Sequence, residues 1–424
     1  MESFQLGDLH ITLDKKGANA FSKVSYPLRY GRFAEIRTPG YIYHFNLNGE
    51  IKYIQGLGKD WPDPSEWLKR TIADDWVYYS TGGYSGVFDS TGEYYLPCLS
   101  YPSNSINFLD PFKDNCIKRA IDSWHDLYKK IRVLYTDSMS RSLSVFLGKV
   151  LRCSPQALEM KSRRLHEILG GPVTVLPPDT RHVDYEVIPL ILADGCLYKC
   201  GFCRVKTNRE FRNRTRDNIR KQVGGLKELY DLDICNYNSL FLGQHDALHS
   251  GMDYVEFAAR LAYEEFSLKR SHLKGCFLFL FGSADSLIES DLGVFDRLEK
   301  LPFSTYINIG LESADPETLH TLGKAITPGT VYEAFERSLE INRKYEKVEI
   351  TVNFLLGDEL PQGHLPSLFR LIDKTVDKPP NKGAVYFSPL ISERTGEKRG
   401  IKRQFYRIKA RTRLPAYLYL IQRM

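Results

Sequence analysis

Residues 186–203, EVIPLILADGCLYKCGFC, join an apolar run to a loop that holds three of the chain's eight cysteines. The run 186–192 has no polar alternation, as expected of a strand buried on both faces. Similar runs recur at 239–243 (SLFLG), 276–282 (CFLFLFG), 305–310 (TYINIG), 348–357 (VEITVNFLLG) and 384–390 (AVYFSPL). Amphipathic helices separate them: Ile219, Val223, Leu226 and Tyr230 form one apolar stripe, and Tyr254, Phe257, Ala258, Leu261 and Ala262 another. Strand, loop and helix in repetition predict an α/β fold, a partial (β/α)6 parallel barrel, whose chemistry belongs at the C-terminal ends of its strands. The cysteine loop follows the first strand directly.

Working outward, residues 1–170 predict a β-rich and then helical accessory domain, 171–184 a linker, 185–390 the barrel core and 391–424 a basic tail. In the first domain, YIYHFNLNGEIKYI at 41–54 predicts a tight hairpin with Asn48 and Gly49 as the positive-φ pair. Residues 76–97, with five tyrosines, predict aromatic strands around two glycine turns. Ile117, Ala120, Ile121, Trp124 and Leu127 share one helix face. The stretch 170–185, GGPVTVLPPDTRHVDY, has the Gly and Pro content of a linker.

With 424 residues and 42% hydrophobic content, the chain can bury two cores. No apolar run approaches the ~20 residues of a membrane span, and the first residues lack a leader pattern, so a soluble, cytoplasmic protein without membrane contact is expected. The net charge of +6 is uneven. Residues 391–424 hold ten Lys and Arg against two Glu, and 199–221 hold nine against Glu210 and Asp217. Such patches suit acidic proteins, nucleic acid or phosphorylated ligands, or are simply solvated faces.

Cys196, Cys200 and Cys203 are spaced C-x3-C-x2-C. Three thiolates on one loop can reach three corners of an iron-sulfur cubane. Zinc normally takes four protein ligands in pairs, and a bacterial ferredoxin run has a further Cys-Pro. A zinc site and three unrelated buried thiols are the other readings of this spacing.

GCLYKCGFC resembles the cluster loop of the radical S-adenosylmethionine (SAM) superfamily. The resemblance implies a [4Fe-4S] cluster on Cys196, Cys200 and Cys203, with the amino and carboxylate groups of SAM on the open iron. It implies reductive cleavage of SAM to a 5′-deoxyadenosyl radical that removes hydrogen from a substrate, and it assigns Phe202 to the adenine. FLGQHDAL at 241–248 is similar to the second-strand segment of the branch that includes oxygen-independent coproporphyrinogen oxidase and the methylthiotransferases. There Gly243 and Asp246 fall at SAM-binding positions, the latter toward the amino group, and His245 stands where glycine is usual. NIGLESADPETLHTLGKAITP at 308–328 resembles the fourth-strand segment, with Glu312 and Ser313 facing SAM and Lys324 in place of a common arginine. NFLLGDELP resembles the fifth-strand end, with Asn353 where relatives often hold an aspartate to ribose.

The expectation is a radical SAM enzyme with one cluster, its unidentified substrate lying between the barrel and the N-terminal domain. The catalytic residues toward that substrate are unassigned. An acidic electron donor, flavodoxin or ferredoxin, is the expected partner of the basic stretch near the cluster loop. The alternatives are an iron-sulfur carrier or sensor that does not cleave SAM, and a nucleic-acid-binding protein with a structural cluster.

Overall fold

The computed structural model describes the chain apart from residues 23, 25–26, 82–86, 88–90, 100–109, 137, 204, 206–208, 376–379 and 391–398. One of the two expected glycine turns in 76–97, Arg204 and Lys206 of the first basic stretch, and the start of the tail lie outside the described residues.

Eight antiparallel strands come first: β1 (Glu2–Leu6), β2 (Leu9–Lys16), β3 (Arg32–Arg37), β4 (Tyr41–Phe45), β5 (Ile51–Gly56), β6 (Trp67–Arg70), β7 (Trp76–Ser80) and β8 (Leu96–Leu99), each paired with the next. Helices α1 (Asn115–Leu134), α2 (Arg141–Arg152) and α3 (Pro155–Leu169) follow. The apolar stripe of α1 buries Ile117, Ala120, Trp124 and Leu127, with Ile121 half-buried, and Trp124 meets Phe45 edge-on at 5.7 Å between ring centres. Each ring so enclosed contributes roughly 2–3 kcal/mol by removal from water. The β4–β5 turn departs from the expected two-residue hairpin. Residues 46–50 form the loop and only Gly49, at φ 84°, takes positive φ. Asn46 Oδ1 accepts from the backbone N–H groups of Asn48 and Glu50, which holds the wider loop without a primed turn.

The second sheet has seven parallel strands in the order β17-β16-β15-β14-β13-β12-β9. After β9 (Ile188–Leu190) come a short ribbon of β10 (Ala193–Asp194) and β11 (Arg212–Asn213), then α4 (Arg216–Tyr230), β12 (Ser239–Asp246), α5 (Met252–Glu265), β13 (Phe277–Gly282), α6 (Ala284–Glu289), α7 (Leu292–Glu299) and β14 (Ser304–Glu312). The chain continues through α8 (Pro316–Thr321), α9 (Pro328–Lys344), β15 (Val348–Leu356), α10 (His364–Thr375), β16 (Val385–Pro389), α11 (Arg399–Lys409) and β17 (Ala416–Leu418). The six expected strands are all present, and β9 carries Pro189 because it is an edge strand with one paired side. A seventh, β17, comes from the region set apart as a basic tail. Its short apolar run AYLYLI was masked by the surrounding arginines, and α11 returns the chain to the sheet with Phe405 and Ile408 fully buried.

The segment expected as a linker is part of the core. Val173, Leu176, Asp179, Thr180 and Val183 are buried, and residues Pro178–Val183 form a 3-10 turn under the sheet. His182 stacks on Tyr306 at 4.8 Å, and Asp179 accepts from Thr351 Oγ1 at 2.6 Å and Tyr386 Oη at 2.8 Å. This turn stoppers the N-terminal ends of the strands. Higher up, Leu176 N donates to Gln422 O, Met424 N to Val173 O, and Gln244 is bonded to both Thr174 and Pro172. The segment thereby links the end of β12 to the chain that follows β17, where Pro supplies a fixed shape rather than slack.

The N-terminal domain docks at the same lower end. Lys52 and Lys69 pair with Glu186 at 2.9 and 2.6 Å, Asn48 Nδ2 donates to Tyr230 O, and Asn46 Nδ2 donates to Asp233. Burial raises the Glu186 carboxyl, but Lys52 and Lys69 outweigh it and hold the group down to about 2. Among the described residues, no helix is long and apolar enough to cross a membrane.

Candidate active site at the mouth of the parallel sheet

At the C-terminal ends of the strands lies a cavity of about 420 Å³, within the usual size of ligand sites. Its lining runs from Val175 to Ile421 and includes Cys196, Cys200, Cys203, Asp246, Glu312, Asn353 and Ser388. No described residue of the N-terminal domain reaches it. The pairs of Lys52 and Lys69 with Glu186, and of Asn46 and Asn48 with Asp233 and Tyr230, lie at the opposite end of the strands.

The cysteine loop enters from β10 and is fixed by Gly201 N donating to Leu322 O at 2.8 Å and Cys203 N to Cys200 O at 3.3 Å. All three thiols are free, with Cys200 buried and the others half-buried. Burial pushes the Cys200 thiol up to about 11, with Lys324 opposing, and Cys203 is raised by burial too. Cys200 and Cys203 also feel Cys196, so the three thiols share one region. No three Cys, His, Asp or Glu side chains among the described residues converge on a point as a single zinc ion requires. Three cysteines lining one cavity are a donor set that a multi-iron cluster would take, one thiolate to each of three irons.

Opposite the loop, the inner row of β14 presents Asn308, Gly310 and Glu312 at every second position. Glu312 takes φ 66° where the β14–β15 register shifts, and this turns its carboxylate inward. Its Oε1 lies 3.6 Å from Lys324 Nζ and its Oε2 accepts from Asn353 Nδ2 at 3.3 Å. Burial raises the Glu312 carboxyl above its ordinary range, with Lys324 and Asn353 opposing. Ser388 Oγ in turn donates to Asn353 Oδ1 at 2.9 Å. A side chain at Gly310 would stand 2.5 Å from Glu312 Oε1 and 3.4 Å from Lys324 Nζ, so glycine keeps the carboxylate's place clear.

Of the residues singled out in the sequence, Phe202, Asp246, Glu312, Lys324 and Asn353 line this cavity together with the three cysteines. Two do not. Ser313 is fully buried behind the wall, where its hydroxyl is shared with His364 Nδ1 and accepts from Asp315 N. Gly243, at φ 85°, shapes the backbone beneath without lining the space. Asp246 carries three protein donors, His249 N, Ser283 N and Ser286 Oγ, so it organises the β12 and β13 loops as well as facing the cavity. Arg214, counted in the basic stretch, is internal: it forks onto Asp194 at 2.6 and 3.0 Å and donates to Leu169 O. The sequence reading missed Asn308, Ser388 and Tyr419, and its only mark of His245 was the departure from glycine.

Residues 190–372 match the family model described as the radical SAM superfamily. Solved structures similar to the chain include a radical SAM methyltransferase from Sphaerobacter thermophilus, at 14% identity and TM-score 0.39 over 55% of this chain and 65% of that one. TsrM from Kitasatospora setae, a radical S-adenosylmethionine methyltransferase with cobalamin and a [4Fe-4S] cluster bound, gives 15%, 0.33, 48% and 36%. Coproporphyrinogen III oxidase (HemN) from Escherichia coli gives 12%, 0.33, 48% and 44%. The chain spans less than two thirds of each of these proteins. No curated protein matches it.

Proposed function

We propose that this protein is a radical SAM enzyme in which Cys196, Cys200 and Cys203 hold one [4Fe-4S] cluster and SAM occupies the adjoining cavity. Once bound, cluster and SAM together supply one-electron cleavage of the sulfonium and a carbon radical able to take hydrogen from a substrate. The observation that carries this reading is the convergence of three free thiols, on a C-x3-C-x2-C loop within the stretch that matches the radical SAM superfamily, with a buried carboxylate in one cavity at the mouth of a parallel sheet.

The chain's own residues position and shield. Glu312, steadied by Lys324 and Asn353, is an acceptor set in advance for hydroxyl or ammonium donors of SAM. Phe202, Phe281, Leu355 and Leu390 give the cavity apolar walls that keep water from a reactive centre. Arg209 and Arg212, exposed on the segment that leads from the cysteine loop into β11, suit an acidic flavodoxin or ferredoxin as electron donor.

The test is anaerobic reconstitution with iron and sulfide, then dithionite and SAM, with iron and 5′-deoxyadenosine as readouts. Replacing all three cysteines by Ala should abolish both while circular dichroism stays that of the folded chain. Full iron and deoxyadenosine in that variant would overturn the reading. Iron without deoxyadenosine in the unaltered protein would favour an electron carrier or sensor.

A further inference from the structure

We propose that Asn308 is a ligand-contacting residue on the cavity floor, and that it selects a neutral, largely apolar molecule presenting one O–H or N–H donor. This rests on the reading of the cavity as an active site and names what lies beneath the ledge of Gly310 and Glu312. Asn308 is two residues earlier on the same inner row as Gly310, about 7 Å deeper in the barrel.

The orientation of its amide follows from a chain of hydrogen bonds anchored in the stopper. Arg181 can only donate, and its Nε lies 2.7 Å from Tyr386 Oη. Tyr386 therefore gives its own proton to Asp179 Oδ1 at 2.8 Å. The second oxygen of the carboxylate, Oδ2, takes the single proton of Thr351 Oγ1 at 2.6 Å. With that proton committed, Thr351 is an acceptor toward Asn308, whose Nδ2 donates to it at 3.0 Å. The amide nitrogen is held downward and the oxygen faces up.

Asn308 is 3% exposed, and its Oδ1 makes no hydrogen bond among the described residues. Unlike Thr305 Oγ1, which is sealed without a partner, Asn308 Oδ1 opens onto the cavity. An amide oxygen that faces a cavity and takes no donor from the chain is an acceptor that a ligand donor would satisfy. Of the carboxylates on the walls, Asp246 carries three protein donors, and Glu312, paired with Lys324, is the acceptor read above as serving SAM. Phe281, the register partner of Asn308 in the sheet, and Tyr419 and Ile421 add apolar lining to the same cavity. Such a floor suits an uncharged body with a single donor.

Three probes of similar shape separate the possibilities: phenol donates, anisole only accepts, and toluene does neither. Dissociation constants for the full chain, before and after reconstitution, should place phenol about five- to tenfold tighter than toluene, with anisole no better than toluene. Asn308→Leu should bring phenol to the level of toluene. Thr351→Val, which frees the amide to turn over, should also shrink the phenol preference although Asn308 is retained. A merely structural Asn308 would not move the ratio between probes. Equal binding of phenol and toluene by the unaltered chain, a phenol preference that survives Asn308→Leu, or a preference for anisole would each overturn the inference, and the first and last need no variant to fold. Phenol selectivity in a protein that forms no 5′-deoxyadenosine would sink the proposed function and leave this site standing; the reverse would sink the site alone.

Discussion

At the lower end of the parallel sheet Asp179 receives Thr351 and Tyr386, Arg181 pairs with Glu93 at 3.0 Å, and His182 stacks on Tyr306; at the mouth the Asn308 amide oxygen and the His245 ring face the cavity with no protein hydrogen bond among the described residues. Both ends are built from the same inward rows of β14, β15 and β16. One end has its polar groups matched by the chain itself, and the other leaves places for something else to match them. Matched polar groups fix a structure, whereas unmatched ones in a shaped cavity mark where a ligand binds.

The largest expected effect comes from breaking the matched end. Asp179→Leu leaves the hydroxyls of Thr351 and Tyr386 without their acceptor and should cost about 3–5 kcal/mol in urea unfolding, since a buried network is lost by removal of one member. A loss below ~1 kcal/mol would erase the contrast between the ends.

Next is the seam that carries the N-terminal domain. Glu186 lies at about 2 in the folded chain against an ordinary 4.5, so its contribution is fully present above pH ~4.5 and lost as pH falls toward 2. It amounts to roughly 3 kcal/mol by linkage. Glu186→Gln should lower stability at neutral pH and flatten its fall over that acid range; an unchanged acid profile would show that the seam does not depend on this carboxylate.

At the mouth the response should be of the opposite kind. Gly310→Ala should change unfolding by less than ~1 kcal/mol, because only the ends of Glu312 and Lys324 must shift, yet weaken SAM binding about tenfold by moving the carboxylate. Stability lost with SAM binding intact would assign Gly310 to packing.

The smallest effect concerns the outer surface. Arg209→Glu with Arg212→Glu should slow reduction by flavodoxin a few-fold, most at low salt, and leave dithionite-driven turnover unchanged. Equal losses with both reductants would place these arginines in ligand binding or folding.

The parallel strands were legible because burial on both faces leaves unbroken apolar runs, and the cysteine loop because its spacing has few other uses. The stopper was not legible: Gly and Pro signal a turn equally in a linker and in a buried plug, and only the partners of Asp179 distinguish them. β17 is three residues long within a basic stretch, too short for a periodic signal. Asn308 is a single polar residue inside an apolar strand, and nothing in TYINIG shows that its neighbour across the sheet is Thr351. Ser313 sits beside Glu312 in sequence, but alternation along the chain sends it behind the wall.

Glu312 keeps a left-handed backbone that costs a residue with a side chain on the order of 1 kcal/mol, and it buries a carboxylate besides. Selection could see that position in two ways. A laboratory lineage chosen for heat resistance alone would be drawn to glycine or asparagine there, while one chosen for turnover would be held at glutamate; the residue that emerges would record which pressure had acted.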